Sequence, residues 1–374
     1  MNDVLYDFAV IGAGMAGASI AAELAPHARV IVLEAEETPG YHSTGRSAAF
    51  WEECYGGPGV VPLTLASGAY LREHGFLQKR GALYVGRSED RAEMDRFVRQ
   101  FDGTGVSIER LSGKSVREKV PQLRDEWCDA IFEEPCADID VAGLHQHYLK
   151  ALRVAGAHMV CRARVSHIER ESGGWRIASE SGETWRAAHI VNAAGAWADI
   201  IAKHAGAQPI GIEPKRRTVA QLRVSPSVPE DQPLVLDVSG GFYFKPENGR
   251  LWLSPHDEVP SEPCDTAPDE LDVAMALDRF EQATTWSIEA VERRWAGLRS
   301  FAPDRLPVYG PDPECAGFVW FAGQGGFGIQ TSPAAARLGA QIMLGLEPDA
   351  LTQGIDRSAY AADRFLSTKA RLVG

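Results

Sequence analysis

Apolar runs and glycine-rich turns alternate in the first forty residues of this 374-residue chain. Residues 8–11 are apolar and lead into a glycine-rich turn, an alanine-rich segment that ends near residue 25, and a second apolar run at residues 29–33. Short apolar runs bounded by turn residues predict buried strands, and the alanine-rich segment predicts a helix. The pattern therefore predicts a strand–turn–helix–strand unit.

A similar unit is predicted near the other end, where Phe318–Ala322 runs through a glycine-rich turn into a small-residue helix over Ser332–Leu344. Between the two units, hydrophobic periodicity predicts helices over residues 61–74, 88–101, 140–155 and 270–280. It predicts strands over residues 81–86, 130–133, 160–169, 174–178, 189–192, 217–224, 241–245 and 251–254.

This order predicts an α/β fold class with a nucleotide-binding domain assembled from residues 1–81, 139–214 and 300–374. Residues 82–138 and 215–299 are predicted to form an inserted α+β substrate domain on a mainly antiparallel sheet.

The glycines of the first turn have the spacing of a dinucleotide-binding turn. Gly12 permits a tight turn, Gly14 lets the backbone approach a pyrophosphate, and Gly17 lets helix and strand pack closely. The helix N-terminus directs the positive end of its dipole to the phosphates. Glu34 ends the second strand, where a carboxylate accepts hydrogen bonds from ribose hydroxyls. The carboxylate of Glu34 favours the unphosphorylated ribose of NAD or FAD over the phosphorylated ribose of NADP.

Composition and charge narrow the class of protein. The net charge of −13 argues against nucleic acid as a partner and against attraction to anionic membranes. No apolar run reaches the ~18 residues needed to span a bilayer, and no basic-then-apolar secretory leader is present. The six cysteines lack any CxxC spacing, which favours a reduced, metal-free cytoplasmic protein, with a peripheral position at the inner membrane as the alternative. The oligomeric state stays open.

Metal ligation is not predicted from the histidines. His145 and His147 are two apart, a spacing that sends their side chains to different faces of a helix, and no cysteine or carboxylate spacing completes a site.

Four stretches together resemble the D-amino acid oxidase-like FAD oxidoreductases: the opening turn and residues 41–49, 191–197 and 323–331. Residues 214–217, 242–246 and 295–301 resemble substrate-domain landmarks of bacterial FAD-dependent D-arginine and D-amino acid dehydrogenases, in the same order. The resemblance implies a Rossmann-like, glutathione-reductase-type domain that binds FAD. The second glycine-rich junction supports FAD independently, because a nicotinamide enzyme needs only the first unit.

The resemblance also implies which residues bind FAD. They are Gly12, Gly14, Ala16, Gly17, Glu34, His42, Ser43, Thr44, Arg46, Ser47, Ala48, Val165, Ala194, Gly195, Trp197, Arg299, Gly325, Gly326, Phe327, Gly328, Ile329, Gln330 and Thr331. Family members with covalent flavin use a cysteine shortly before the C-terminal unit. Residues 295–304 contain no cysteine, so noncovalent FAD is expected.

An amino acid carboxylate is best held by a guanidinium, which offers two parallel donors. Arg299 matches one family carboxylate ligand and the Arg216/Arg217 pair another; strand alternation aims one of that pair inward, and Arg217 is preferred. Tyr55 and Tyr243 match tyrosines that line the family's pocket. We therefore expect these two arginines and two tyrosines to form the catalytic pocket.

The resemblance implies oxidative deamination of a D-amino acid to the 2-oxo acid and ammonia, by hydride transfer from Cα to flavin N5. The cofactor carries this chemistry, so no acid–base residue is assigned, and His42 is expected to pack and to hydrogen-bond with the backbone. Compared with D-arginine enzymes, Ala82, Phe50 and Gly240 replace polar groups. A cationic substrate would then lack a counter-charge, so a neutral, apolar or aromatic D-amino acid is predicted.

The electron acceptor is predicted to be a quinone or another carrier. Sarcosine oxidases place a lysine over the flavin, and the matching residues 251–254 contain none, which favours a dehydrogenase. Three alternatives stay open: an enzyme for glycine, sarcosine or D-proline-type imino acids, a 2-hydroxy acid dehydrogenase that would use His42 as base, and a flavin electron-transfer subunit without its own substrate.

Overall fold

The computed structural model, which describes residues 4–365, contains an eight-stranded sheet, a ten-stranded sheet and a small three-stranded one. The main path across the eight-stranded sheet is Val165–Glu171, Gly174–Ser179, Thr184–Asn192, Leu5–Ile11, Val30–Leu33 and His158–Val160. Phe318–Ala322 pairs in parallel with the end of Thr184–Asn192, and Val308–Pro311 pairs with Phe318–Ala322. Both predicted strand–turn–helix units therefore join one sheet.

Helices cover both faces of this sheet, which explains why its strands Val30–Leu33 and Phe318–Ala322 are apolar throughout. Met15–Leu24, Val141–Val154 and Ser332–Leu344 share a core on one face. Ala198–His204 contributes to the core on the other face. All four residues of Val30–Leu33 are buried. This is the layered arrangement expected for a nucleotide-binding α/β unit.

The ten-stranded sheet is antiparallel except where Leu234–Asp237 pairs with Ala82–Gly86. Its path is Gln324–Gly325, Ser287–Phe301, Glu213–Ser225, Arg250–Ser254, Tyr243–Glu247, Leu234–Asp237, Ala82–Gly86, Asp129–Glu133 and Glu109–Ser112, with Val259–Pro260 paired to Glu213–Ser225. The helices around it are Arg91–Phe101, Lys114–Lys119 and Glu270–Ala283. Phe50–Trp51, Ala137–Ile139 and Leu77–Lys79 form the small sheet, and Val61–Glu73 is helical.

The predicted fold class is confirmed by this architecture. Ser332–Leu344 begins and ends at the predicted residues, and Asp140 caps its helix by accepting a 2.8 Å hydrogen bond from the Gly143 amide. The domain boundaries near residues 81, 138, 214 and 299 stay a prediction, and Gln324–Gly325 extends the ten-stranded sheet from a segment assigned to the nucleotide domain. Residues 1–3 and 366–374 of those segments lie outside the described chain.

One predicted strand was wrong, and one long strand was not predicted. Residues 160–169 were expected to form one strand, but the structure has two, His158–Val160 and Val165–Glu171. The connecting loop turns at Arg162 (φ 57°) and donates hydrogen bonds from the 162 and 163 amides to the loop that follows Val30–Leu33. The 15-residue strand Ser287–Phe301 was missed, because its exposed, charged first half lacks the apolar alternation that predicts strands.

No helix within residues 4–365 is long and apolar enough to cross a bilayer.

A pair of buried carboxyl groups lies where the small sheet meets the ten-stranded one. Glu52 is fully buried, and neither carboxyl oxygen has a hydrogen-bond partner among residues 4–365. Glu133 accepts hydrogen bonds from the amides of Glu53 (2.7 Å) and Cys54 (3.2 Å). Burial raises the pKa of Glu133 to about 7, and burial together with Glu133 raises the pKa of Glu52 well above its ordinary value.

The raised pKa values predict that the fold loses stability as the pH rises. Below an unfolded pKa of about 4.3 both states hold these protons, whereas at higher pH only the folded state keeps them until its own pKa is passed, near 7 for Glu133. For each proton that only the folded state holds, the free energy of unfolding falls by about 1.4 kcal/mol per pH unit. In urea titrations between pH 5 and 8, we expect the free energy of unfolding of Glu52→Gln to depend less steeply on pH than that of the unmodified protein.

The matched control is Glu134→Gln, which makes the same substitution at an exposed neighbour paired with Lys79. An unchanged slope in Glu52→Gln would contradict the assignment of a retained proton to this carboxyl pair.

Candidate active site

A cavity of about 620 Å³ lies between the two large sheets. It is lined by side chains and backbone from both glycine-rich turns, from residues 40–50 and from residues 193–201. The ten-stranded sheet, which we call the substrate sheet, also contributes to the lining. Nearly all sequence-predicted site residues line it: Gly12, Gly14, Ala16, Glu34, His42, Ser43, Thr44, Arg46, Ser47, Ala48, Tyr55, Val165, Ala194, Gly195, Trp197, Arg217, Tyr243, Arg299, Gly325, Gly326, Gly328 and Ile329. The tertiary structure thus gathers segments that are up to three hundred residues apart.

At one end of the cavity, the first glycine turn and Glu34 form a polar cradle. Gly12 has φ 99°, a conformation that favours glycine, and a Cβ there would lie 2.7 Å from the Ala193 carbonyl oxygen. Glu34 accepts hydrogen bonds from the amides of Ala13 (2.7 Å) and Glu36 (2.9 Å). These bonds fix the carboxylate at the tip of its strand, where it faces the cavity.

Hydroxyl groups and small residues complete this end. The Met15 amide, in the first turn of the helix, donates to Thr44 Oγ1 at 2.9 Å. Ser43 Oγ donates to the Leu298 carbonyl at 2.6 Å, which ties the 41–49 stretch to the substrate sheet. A hydroxyl at a helix N-terminus and a bare glycine turn suit a phosphate.

Four predicted cofactor ligands lie behind the cavity wall. A Cβ on Gly17 would lie 1.9 Å from the Gly12 carbonyl oxygen, so this glycine serves close packing. Phe327 is buried in the core beside Val60 and Phe301. Gln330 holds the backbone of Glu52 at both its amide and its carbonyl, and Thr331 Oγ1 donates to the Phe327 carbonyl; these residues support the wall from within the core.

His42 lies at the Glu34 end. Its Nε2 lies 3.2 Å from a carboxylate oxygen of Glu36, and its ring packs on Trp197 with centroids 4.7 Å apart. The expected packing role is therefore observed, but the hydrogen bond goes to a carboxylate and not to the backbone. Arg46 pairs with Asp265 and donates to backbone carbonyls of the substrate domain.

At the other end, the second glycine turn meets the substrate sheet through strand pairing. Ser300 pairs with Gly325 in an antiparallel ladder, so Arg299 comes beside the glycine loop. A Cβ on Gly326 would lie 1.8 Å from the Tyr55 hydroxyl and 3.0 Å from Arg299 Cδ. Only a bare backbone fits between these side chains and the cavity.

Two buried arginines face this end of the cavity. Arg299 donates from Nη1 to Tyr55 Oη (3.2 Å), while its buried Nε has no hydrogen-bond partner within residues 4–365. Arg217 donates from Nε to the Asp257 carbonyl (2.9 Å), and its guanidinium lies 5.6 Å from the Tyr243 ring centroid. Arg216 instead pairs with Asp272 at 2.8 Å. The structure thus places Arg217, and not Arg216, in the cavity wall.

A loop with three ionisable side chains packs against the arginines. Glu258 lies 3.0 Å from Arg299 Nη2, and it also bonds Arg305. Burial opposes its charge, but the surrounding arginines lower the pKa of Glu258 to about 2. Burial and the two cavity arginines lower the pKa of His256 to about 3, so this histidine is neutral. Sequence reasoning missed this loop, because nothing in its local pattern marks which distant side chains it meets.

Aromatic rings form the remaining wall. Tyr243 packs edge-on against Phe50 (5.9 Å) and His256 (5.7 Å). Of the three positions where polar groups were expected to be replaced, Phe50 lines the cavity, whereas Ala82 and Gly240 do not.

The residues that line the cavity fit FAD. One end offers a glycine turn, a helix N-terminus and a fixed carboxylate, which suit a pyrophosphate and a ribose. The other end offers the bare backbone of the Gly325–Gly326 turn beside the buried arginines. FAD held along this cavity would place its ring between the second turn and the substrate end.

Comparison with known proteins agrees with this fit. Residues 7–342 match the family model described as DAO, FAD dependent oxidoreductase. Glycine oxidase of Bacillus subtilis (strain 168) is 26% identical, over 91% of this chain and 94% of the relative. L-2-hydroxyglutarate dehydrogenase of Escherichia coli (strain K12) is also 26% identical, over 55% of this chain and 51% of the relative.

A solved structure shows the same fold. The crystal structure of glycine oxidase from Geobacillus kaustophilus superposes with a TM-score of 0.81 and 26% identity, covering 96% of this chain and 98% of that one. The family match spans both glycine turns and the substrate sheet, so it includes every segment that lines the cavity. The chain belongs to the DAO family of FAD-dependent oxidoreductases.

Proposed function

We propose that this enzyme oxidatively deaminates a neutral D-amino acid to the 2-oxo acid and ammonia, and that it holds FAD noncovalently. The observation that carries the proposal is the pair of buried guanidinium groups, Arg217 and Arg299, at the aromatic-walled end of the cavity. Asp257 and Glu258, which do not line the cavity, offset part of this buried charge. The buried Nε of Arg299 still has no hydrogen-bond partner within residues 4–365, so an anion in the cavity would lower the cost of burying the two cations. A substrate carboxylate is the anion that this chemistry calls for.

The chain's own contribution is positional. Arg299 and Arg217 would hold the carboxylate, and Tyr243 and Phe50 would wall the α-carbon and side chain. When bound, FAD supplies the hydride acceptor for the substrate Cα–H. The residues at this end need only fix the substrate's orientation, which by itself contributes strongly to the rate.

The positions of the histidines favour an amine substrate over a 2-hydroxy acid, which would need a base for its hydroxyl proton. His42 bonds Glu36, whose amide bonds Glu34, so it belongs to the ribose end of the cavity. His256 lies near the arginines, but with a pKa of about 3 it is a poor base at neutral pH.

The aromatic rings of Phe50 and Tyr243 in the cavity wall support a substrate with a neutral side chain. The strand Arg250–Ser254 contains no lysine that could activate dioxygen. This supports electron transfer from the flavin to a quinone or another carrier. The nearest lysine in that part of the sheet is Lys245, which is fully buried and bonds Asp138 (2.8 Å) and Glu247 (2.9 Å). Its ammonium group is ion-paired with these two carboxylates.

A second candidate is an oxidase for glycine or an N-substituted glycine. The full-length similarity to proteins named glycine oxidase favours it. The same arginine pair would bind such a substrate, so the two candidates differ in side-chain acceptance and in the electron acceptor.

The first test uses the purified flavoprotein without oxygen, mixed with D- and L-amino acids, glycine and sarcosine. We expect apolar D-amino acids to bleach the flavin absorbance rapidly, because the carboxylate clamp and apolar wall fit them. Their L-isomers should leave it unchanged. Bleaching by glycine or sarcosine alone, with peroxide released in air, would favour the second candidate. Flavin that stays oxidised with every substrate would contradict both.

A second test compares two neighbouring arginines. Arg217→Lys replaces a planar fork by a point charge in the cavity wall. We expect kcat/KM to fall roughly 30- to 5,000-fold, which corresponds to a loss of about 2–5 kcal/mol in transition-state stabilisation. Arg216→Lys makes the same exchange at a residue that bonds Asp272 instead, and it should stay within threefold of the unmodified enzyme. Equal losses in both variants would argue against a carboxylate site at Arg217.

A further inference from the structure

A five-charge cluster surrounds the buried arginines at the substrate end. Arg217 and Arg299 line the cavity, Arg305 lies outside it, and the carboxylates of Asp257 and Glu258 face them. Three guanidinium charges thus meet two carboxylate charges. His256, the other titratable group on this loop, is neutral at physiological pH. One positive charge remains uncompensated, and it belongs to the two arginines that face the cavity.

The two carboxylates have different tasks. Asp257 is fixed within the fold, since its oxygens accept from the amide (2.8 Å) and hydroxyl (3.0 Å) of Thr218, and it lies 3.6 Å from Arg217 Nε. Within the part of the chain that the structure describes, the Glu258 carboxylate accepts no hydrogen bond from a backbone amide. Its Oε1 lies 3.0 Å from Arg299, 2.8 Å from Arg305 and 3.9 Å from Arg217. Glu258 is therefore the carboxylate shared by all three arginines.

The backbone around this cluster is held in an uncommon conformation. His256 (φ 58°) and Arg305 (φ 67°) are both non-glycine residues in the left-handed region. Such residues are uncommon and tend to cluster at sites where the side-chain position matters. Here they place Glu258 and Arg305 against each other, at the back of the cavity wall.

We propose that Glu258 sets the charge of the substrate. By neutralising one guanidinium, it leaves a single positive charge at the clamp, so that the site accepts a substrate with one carboxylate and discriminates against dicarboxylates. This rests on the proposed function for the identity of the substrate, but the selectivity for anions follows from the cluster itself. Glu258 acts through the arginines, and it is a positioning and specificity residue.

The test measures anion binding, which does not require turnover. Butanoate and succinate have the same number of carbons but differ by one carboxylate, and their dissociation constants can be read from the perturbed flavin spectrum of the holoenzyme. The series is Glu258→Gln, which adds a positive charge to the cluster, the unmodified protein, and Arg305→Gln, which removes one. The control is Glu262→Gln, which makes the same charge change at an exposed residue of the next turn.

We expect Glu258→Gln to tighten succinate binding about tenfold more than butanoate binding, a difference of about 1.4 kcal/mol. Arg305→Gln should weaken both anions, although Arg305 does not line the cavity, and Glu262→Gln should change neither. If Glu258 only holds Arg299 in place, Glu258→Gln will weaken both anions, and that result would overturn the proposal. An unchanged succinate-to-butanoate ratio in Glu258→Gln would also overturn it.

The two proposals fail separately. If no amino acid reduces the flavin but the charge series behaves as expected, the proposed function is wrong and the role of Glu258 stands. If D-amino acids are oxidised but the series is flat, the function stands and the role of Glu258 is wrong.

Discussion

The antiparallel pairing of Ser300–Phe301 with Gln324–Gly325 is the contact on which the site depends. It joins the last strand of the substrate sheet to the second glycine turn, and thereby fixes the arginine end of the cavity against the nucleotide-binding fold. Gly326 lies so close to Tyr55 and Arg299 that a side chain there would overlap both. A hydrogen-bonded ladder sets this approach far more rigidly than a loop contact would, which suits a site that works by orientation.

The cost of that arrangement is charge burial. Arg217 and Arg299 are largely removed from water, and burial together with the mutual repulsion of the two lowers the pKa of Arg217. The carboxylates of Asp257 and Glu258 offset this repulsion without closing the cavity. Among residues 4–365, the Nε of Arg299 has no hydrogen-bond partner and one positive charge of the cluster is uncompensated, and these two features mark where an anion would complete the network. The same cluster thus carries both a cost in local stability and the anion affinity that we propose for this end of the cavity.

Buried ionisable groups elsewhere show that the fold tolerates charge only under strict conditions. Lys245 is fully buried but touches two carboxylates, whereas Glu52 is fully buried without a partner among the described residues and has a strongly raised pKa. The lysine is buried together with its two carboxylate partners, whereas burial without a partner favours the protonated form of Glu52. The same rule explains why His256 stays uncharged between the arginines.

The strand–turn–helix units and a carboxylate at the tip of the second strand were predictable from the sequence alone, because they depend on local spacing and strand periodicity. Arg217, Arg299, Tyr55 and Tyr243 were indicated by the resemblance to a known family, and all four line the cavity. Strand alternation predicted that only one of Arg216 and Arg217 points inward, and the tertiary structure decided that it is Arg217. The sequence did not reveal the Glu258 loop, the core positions of Gln330 and Thr331, or the long strand Ser287–Phe301. Those depend on which distant segments meet. Asp257 and Glu258, which lie 40 to 42 positions away along the chain, supply the negative charges around Arg217 and Arg299, and only the folded sheets bring them together.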